Sequence, residues 1–127
     1  MITIREIMRH DVVTLPYGSS VVDAAKTMRE RKIGSILIRM DKRIVGIVTE
    51  PDIVREVVGA DRLPRLITVE AIMSFPIITI EERSALTDAA DMMERHGTRH
   101  LAVTKSGEIV GMLSVRDLLR PISIDEF

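Results

Sequence analysis

Apolar residues recur along this chain in two rhythms, and each change of rhythm marks an element. Val21, Ala24, Ala25 and Met28 fall three and four apart, as do Leu86, Ala89, Ala90 and Met93, which predicts two helices with one apolar face each. The paired alanines imply that each helix packs very close to a neighbour. Ahead of each helix stands a β-type segment, "DVVTL" or "PIITI", then a serine able to cap the helix. A short helical turn around Ile7 and Met8 leads into the first of these segments. Beyond each helix comes a buried strand, "SILI" or "HLAV", a turn at "MDKR" or "KSGE", and a second strand through "IVG". Closing helices run from about Pro51 to Val58 and from about Arg116 to Leu119, with Gly59 and Pro121 as stop signals. The predicted order is β-α-β-β-α, twice.

The two runs are copies at a fixed offset of 65 positions. Met8 matches Met73, Thr14 matches Thr79, Ser19 matches Ser84, Asp23 matches Asp88 and Asp52 matches Asp117, and "IVG" at 44–46 returns at 109–111. Ile2 and Thr3 match Ile67 and Thr68. The chain therefore divides into repeat 1 at 1–58, a linker at 59–66 containing "GADRLPR", repeat 2 at 67–120 and a C-terminal tail at 121–127. A unit of about 60 residues buries too little surface alone, so the two halves should share one core.

Composition narrows the function. The 127 residues, 46% of them hydrophobic, amount to one domain's worth of globular protein. Eighteen basic against nineteen acidic residues leave a net charge of −1, and 2% aromatic content offers little for bases to stack on, so nucleic acid is not an expected partner. No apolar stretch approaches the ~20 residues of a membrane span, and "MITIREIMRH" lacks a cationic start before an apolar run. The expected location is cytoplasmic, away from membranes. Without cysteine there is no thiolate nucleophile and no zinc-thiolate site. His96 and His100 have a spacing that could suit a metal on a helix, but Gly97 breaks the helix between them, so no metal site is expected. The eight methionines fall mainly at core spacing and read as packing. No nucleophile-base pair stands out, which argues against an enzyme.

The candidate chemistry lies in the two endings, "GIVTEPD" at Gly46 to Asp52 and "GMLSVRD" at Gly111 to Asp117. A hydroxyl just before a helix stands beside unpaired N–H groups and the positive end of the helix dipole, which favours an anion such as phosphate. A carboxylate three residues on can accept two hydrogen bonds from vicinal hydroxyls, as a ribose presents. Together they suit a nucleotide. Thr49-x-x-Asp52 and Ser114-x-x-Asp117 also have the form of a helix capping box with Asp in place of Glu or Gln, which needs no ligand. Both readings stand, because the hydroxyl can cap while the carboxylate faces a ligand.

With its "I-M", its "D-A-A-x-x-M" helix and its ending G-h-h-[TS]-x-x-D (h being apolar), the unit resembles the cystathionine-β-synthase-type (CBS) domain, and two in tandem resemble a CBS pair, or Bateman module, from Ile2 to Arg120. That resemblance implies an α+β fold: two repeats about a pseudo-two-fold axis in one compact module, each of two clefts combining the ending of one repeat with the front of the other. By matching positions, Ser114 and Asp117 would face Thr3, Ile7, Met8, Ser35 and Ile36, and Thr49 and Asp52 would face Thr68, Ile72, Met73, His100 and Leu101, with Arg99 alongside. The aspartates would bind ribose, the apolar side chains and nearby amides adenine, and the basic pair phosphate. The Asp52 cleft would then prefer a phosphorylated ligand. The family often has a proline where this chain has Leu37 and Ala102, which leaves an extra backbone donor in each strand.

The resemblance implies no catalytic cofactor. The expected ligand is an adenosine-containing molecule, AMP, ADP, ATP or S-adenosylmethionine, whose occupancy is passed to an effector protein. The other reading is a ligand-free structural module that dimerises and docks a partner. Either way a homodimer is expected.

Overall fold

The computed structural model describes residues 2–125, with side chains through residue 120. Its compact units do not follow the repeats. One unit is the mid-chain stretch Val13–Ile77; the other is split, joining Met1–Val12 to Ile78–Phe127. Each repeat has given its leading segment to the unit built on the other repeat.

In the mid-chain unit β1 (Thr14–Pro16) lies parallel to β2 (Ser35–Met40), which pairs antiparallel with β3 (Arg43–Thr49). Helix α2 (Val21–Arg31) is the crossover between the parallel strands, as a parallel pair requires. Ser20 caps it by accepting the Asp23 N–H at 3.2 Å, and Lys32 closes it in the left-handed region. The helix buries Val21, Ala24 and Met28, while Ala25 faces outward, so only the first alanine of the pair is a packing residue. Helix α3 (Glu50–Ile53) follows β3 directly and widens into a π-helical turn over Val54–Val58 that ends at Gly59.

The chain then makes a tight turn at Pro64–Leu66 and lays the start of repeat 2 onto this unit. Val21 donates to the Ile67 carbonyl at 2.9 Å, Val69 to the Ser19 carbonyl at 2.8 Å, and Ser74 and Ile47 exchange both main-chain bonds. A short turn at Val69–Ala71 lies between these anchors.

The split unit repeats the plan. Its first helix, α1 (Ile4–Ile7), is held by a Thr3–Ala85 bridge on one side and by Arg9 and Met112, which exchange main-chain bonds, on the other. Strand β4 (Thr79–Glu81) runs parallel to β5 (His100–Lys105), and β5 pairs antiparallel with β6 (Glu108–Ser114). Crossover helix α4 (Leu86–His96) buries Ala89 and Met93 and leaves Ala90 exposed. Where α2 has Ser20, this helix has Ala85, so only the returning bond survives, from the Ala85 N–H to Asp88 Oδ2 at 3.3 Å. The closing helix α5 (Val115–Asp125) does not stop at Pro121 as the sequence suggests. Proline keeps a helical φ but removes the N–H that would bond the Asp117 carbonyl and crowds that carbonyl, so the helix continues past it at a local cost. Of the segment read as a tail, residues 121–125 are helical, and 126–127 lie outside the described residues.

Two separate cores replace the single shared core expected from the repeats. In the mid-chain unit Val21, Ala24, Met28, Ile36, Ile38, Val48 and Val57 are completed by Ile67, Val69 and Ile72. In the split unit Ile80, Ala89, Met93, Leu101, Val103 and Leu113 are completed by Ile4, Ile7 and Met8. A fully buried side chain of this size stabilises by about 1.5–3 kcal/mol, so each core depends on three residues supplied by the other repeat.

Candidate functional site

Both endings form at the same structural point, where the last residue of a strand becomes the first turn of a helix. In the mid-chain unit the reciprocal capping box is complete: the Thr49 N–H donates to Asp52 Oδ2 at 2.9 Å, and the Asp52 N–H donates to Thr49 Oγ1 at 3.4 Å. In the split unit the Ser114 N–H donates to Asp117 Oδ2 at 2.8 Å, but the Ser114 hydroxyl turns onto that same oxygen at 3.2 Å. Both aspartates are 8% exposed, two of three buried charged residues among those described. In each case capping occupies Oδ2 and leaves Oδ1 for another partner.

That partner is an arginine three residues on, whose part in the site the sequence motif does not reveal. Arg55 Nη2 stands 3.8 Å from Asp52 Oδ1, with its side chain 71% exposed. Arg120 Nη2 stands 3.2 Å from Asp117 Oδ1 and also donates to the Ile7 carbonyl, with its side chain 56% exposed. The i,i+3 spacing was a signal for both pairs; the reach to Ile7 spans 113 positions and had none.

Thr3, Ile7 and Met8 lie in the unit of Ser114 and Asp117, and Thr68, Ile72 and Met73 lie in that of Thr49 and Asp52. Contact is close, since β3 and β6 carry glycines under the two methionines. A Cβ on Gly46 would lie 2.8 Å from Met73 Cγ, and one on Gly111 would lie 3.1 Å from Met8 Cγ. Thr3 holds the N-cap position of α1, and both its N–H and its hydroxyl donate to Glu6 Oε1, at 3.4 and 3.3 Å.

The strand residues have their own ladder partners. Ser35 is directly opposite Thr49 in the β2–β3 ladder, and His100 is directly opposite Ser114 in the β5–β6 ladder. The Arg99 carbonyl accepts the Val115 N–H at 3.0 Å, the place that Gly34 takes for Glu50. The side chains of Ile36 and Leu101 are in the two cores, 1% and 0% exposed. Within its own unit, then, the basic pair Arg99–His100 stands at the Ser114 ending, and the small pair Gly34–Ser35 at the Thr49 ending.

Two acidic residues outside the endings are unusual. Glu82, at the exit of β4, is 3% exposed, and its Oε1 has no hydrogen-bond partner. Glu70 accepts the Gly18 N–H at 2.8 Å; burial pushes its carboxyl up, but bonds from its own and the Gly18 N–H and from Thr68 outweigh this and hold it below the ordinary glutamate value. Among the described residues there is no cluster of three metal-ligating side chains and no helix long and apolar enough to cross a membrane.

Two interlocked α/β repeats, each presenting a capped hydroxyl and a buried aspartate at a strand-to-helix junction, define a regulatory, ligand-binding or interaction module of tandem repeats. The chain belongs to the CBS-domain family, whose model matches at 4–59 and again at 69–124. It is 34% identical over 121 residues to an uncharacterised protein of Methanopyrus kandleri, covering 94% of this chain and 62% of that protein, so it spans under two thirds of the relative's length. A putative signal-transduction protein with CBS domains from Burkholderia ambifaria superposes with a TM-score of 0.93 at 30% identity, over 99% of this chain and 97% of that one. A hexameric CBS-CP12 protein from bloom-forming cyanobacteria superposes at 0.88 with 29% identity, over 99% and 74% of the two chains.

Proposed function

We propose that this CBS pair is a non-catalytic cytoplasmic sensor that binds an adenosine-containing ligand, AMP, ADP, ATP or S-adenosylmethionine, at its two endings and passes occupancy to an effector protein. The observation that carries this reading is the pair of aspartates, each buried to 8% exposure yet holding Oδ1 only through an arginine more than half exposed. A cap needs one carboxylate oxygen. The second, beside a hydroxyl and the first turn of a helix, suits a ribose diol with phosphate near the N–H groups. The module acts as a homo-oligomer on this reading, in line with the hexameric CBS-CP12 neighbour.

A ligand-free interaction module is the second reading, favoured by the closed capping box of Thr49 and Asp52 and by exposed Val54, Val58 and Leu119 along the closing helices. Titration calorimetry with AMP, ATP and S-adenosylmethionine separates the two. Saturable binding that Asp52→Ala or Asp117→Ala abolishes is the expected result. A folded, nucleotide-free protein that gives no binding heat with any of the three supports the interaction module instead.

A further inference from the structure

The two endings carry the same arginine in different postures, and this difference points beyond ligand binding as such. Arg55 and Arg120 are 65 positions apart, each three residues past its aspartate. Arg55 is 71% exposed and 3.8 Å from its carboxylate, a distance at which an exposed ion pair contributes little. Arg120 closes to 3.2 Å and joins Asp117 Oδ1 to the main-chain carbonyl of Ile7, a residue of the front that lies against this ending. The other carboxylate oxygen is already taken by the N–H and the hydroxyl of Ser114. The oxygen of Asp117 that the cap leaves open is therefore engaged by one guanidinium.

We propose that Arg120 is a selectivity residue of the Asp117 site: a strap that withholds the carboxylate from neutral diols and releases it to ligands that also carry an anionic group. The inference rests on the adenosyl reading above. A neutral diol must break a charge-assisted pair and the bond to Ile7, and it offers the guanidinium nothing in return. A diol that bears a phosphate offers it a bidentate partner, so the pair is exchanged and not merely lost. The side chain is 56% exposed and has room to swing, and His100, beside Ser114 in the ladder, places a second basic residue at this ending. The ligand class is thus a phosphorylated nucleoside in preference to the free nucleoside, and the residue that makes the distinction sits on the closing helix.

The test compares adenosine with AMP by titration calorimetry in an Asp52→Asn background, which isolates the Asp117 site. AMP is expected to bind more tightly than adenosine. Arg120→Met should then tighten adenosine about tenfold and shrink the AMP-to-adenosine preference by at least as much, the scale of one charge-assisted hydrogen bond. AMP binding with an unchanged preference in Arg120→Met overturns the strap. Should that variant fail to fold, Arg120→Gln, which keeps a polar side chain but removes the charge, takes its place with the same expected direction.

Binding of neither ligand by any folded variant overturns the adenosyl reading and, with it, the selectivity role. A ligand-free comparison shows whether the strap exists at all. The urea midpoint of Arg120→Met should fall further than that of Arg55→Met, and equal midpoints refute the strap whatever the ligand results.

Discussion

Gly46 and Gly111 hold the same place in the two endings, so alanine at each makes a matched experiment on how tightly the fronts are pressed. At Gly111 an added methyl would lie 2.7 Å from the Arg9 carbonyl oxygen. That oxygen is pinned, because Arg9 and Met112 exchange main-chain bonds of 2.8 and 2.9 Å. Relief requires moving a backbone, and overpacking of this kind costs about 1–3 kcal/mol, here toward the upper end. At Gly46 the nearest atoms all belong to the Met73 side chain, with Cγ at 2.8 Å and Cβ at 3.1 Å. A thioether with three rotatable bonds turns aside for about 1 kcal/mol. Against both stands the roughly 0.5–1 kcal/mol by which alanine is better than glycine inside a regular element. Gly46→Ala should therefore stay within about 0.5 kcal/mol of the parent, while Gly111→Ala loses about 2 kcal/mol. With a urea m-value near 2 kcal/mol/M the second corresponds to a midpoint about 1 M lower. Hydrogen exchange should locate the loss in the split unit, at β6 and α1. Equal midpoints for the two variants, or a larger loss for Gly46→Ala, would refute the idea that a main-chain carbonyl, and not a methionine, sets the limit.

Other substitutions test separate parts of the structure. Ser20→Ala should cost about 0.5–2 kcal/mol by removing the cap of α2, and Ala85→Ser should return a comparable part of that by supplying the missing cap of α4, both measured by thermal unfolding. Glu82→Met should raise the unfolding midpoint, since it replaces a 3% exposed carboxylate whose Oε1 is unpartnered; a lowered midpoint would mean that the carboxylate is held by a partner. Glu70 has a folded pKa below its unfolded value, so its contribution is present above pH 4.5 and lost as pH falls through the lower folded value; Glu70→Gln should flatten that part of a stability–pH profile, and an unaltered profile would count against the Gly18 bond.

Much of this structure was legible because it is local. The 3.6-residue spacing of Val21, Ala24 and Met28 places the helix face, and the strand pairs around "MDKR" and "KSGE" follow from short turns between apolar runs. The two endings were recognisable as capping boxes from their spacing, and Thr49–Asp52 is one in full. What escaped was long-range. A repeat with a constant offset looks the same whether each front packs on its own half or on the other, so the exchange that divides one expected core into two left no trace in the pattern. Ala25 and Ala90 were indistinguishable from Ala24 and Ala89, because alanine suits either face of a helix. Pro121 failed as a stop signal because α5 tolerates one missing bond. The grip of Arg120 on Ile7 depended on that same exchange.

The exchanged fronts also set an order of events during synthesis. Everything the mid-chain unit needs, Val13–Ile77, has been made once Ile77 is joined, so this unit can close while the rest of the protein is still being translated. The first dozen residues cannot take their place then. Ile4, Ile7 and Met8 have no core to enter until β5 and β6 are made roughly a hundred residues later, and until then they are an apolar segment without its partner. A nascent chain whose Val13–Ile77 stretch has left the ribosome would carry a folded body with an unplaced apolar leading segment, able to enter the split-unit core of another copy in which β5 and β6 are already made. Subunits whose leaders have been traded in this way are a product that dilution should suppress and crowded polysomes should favour.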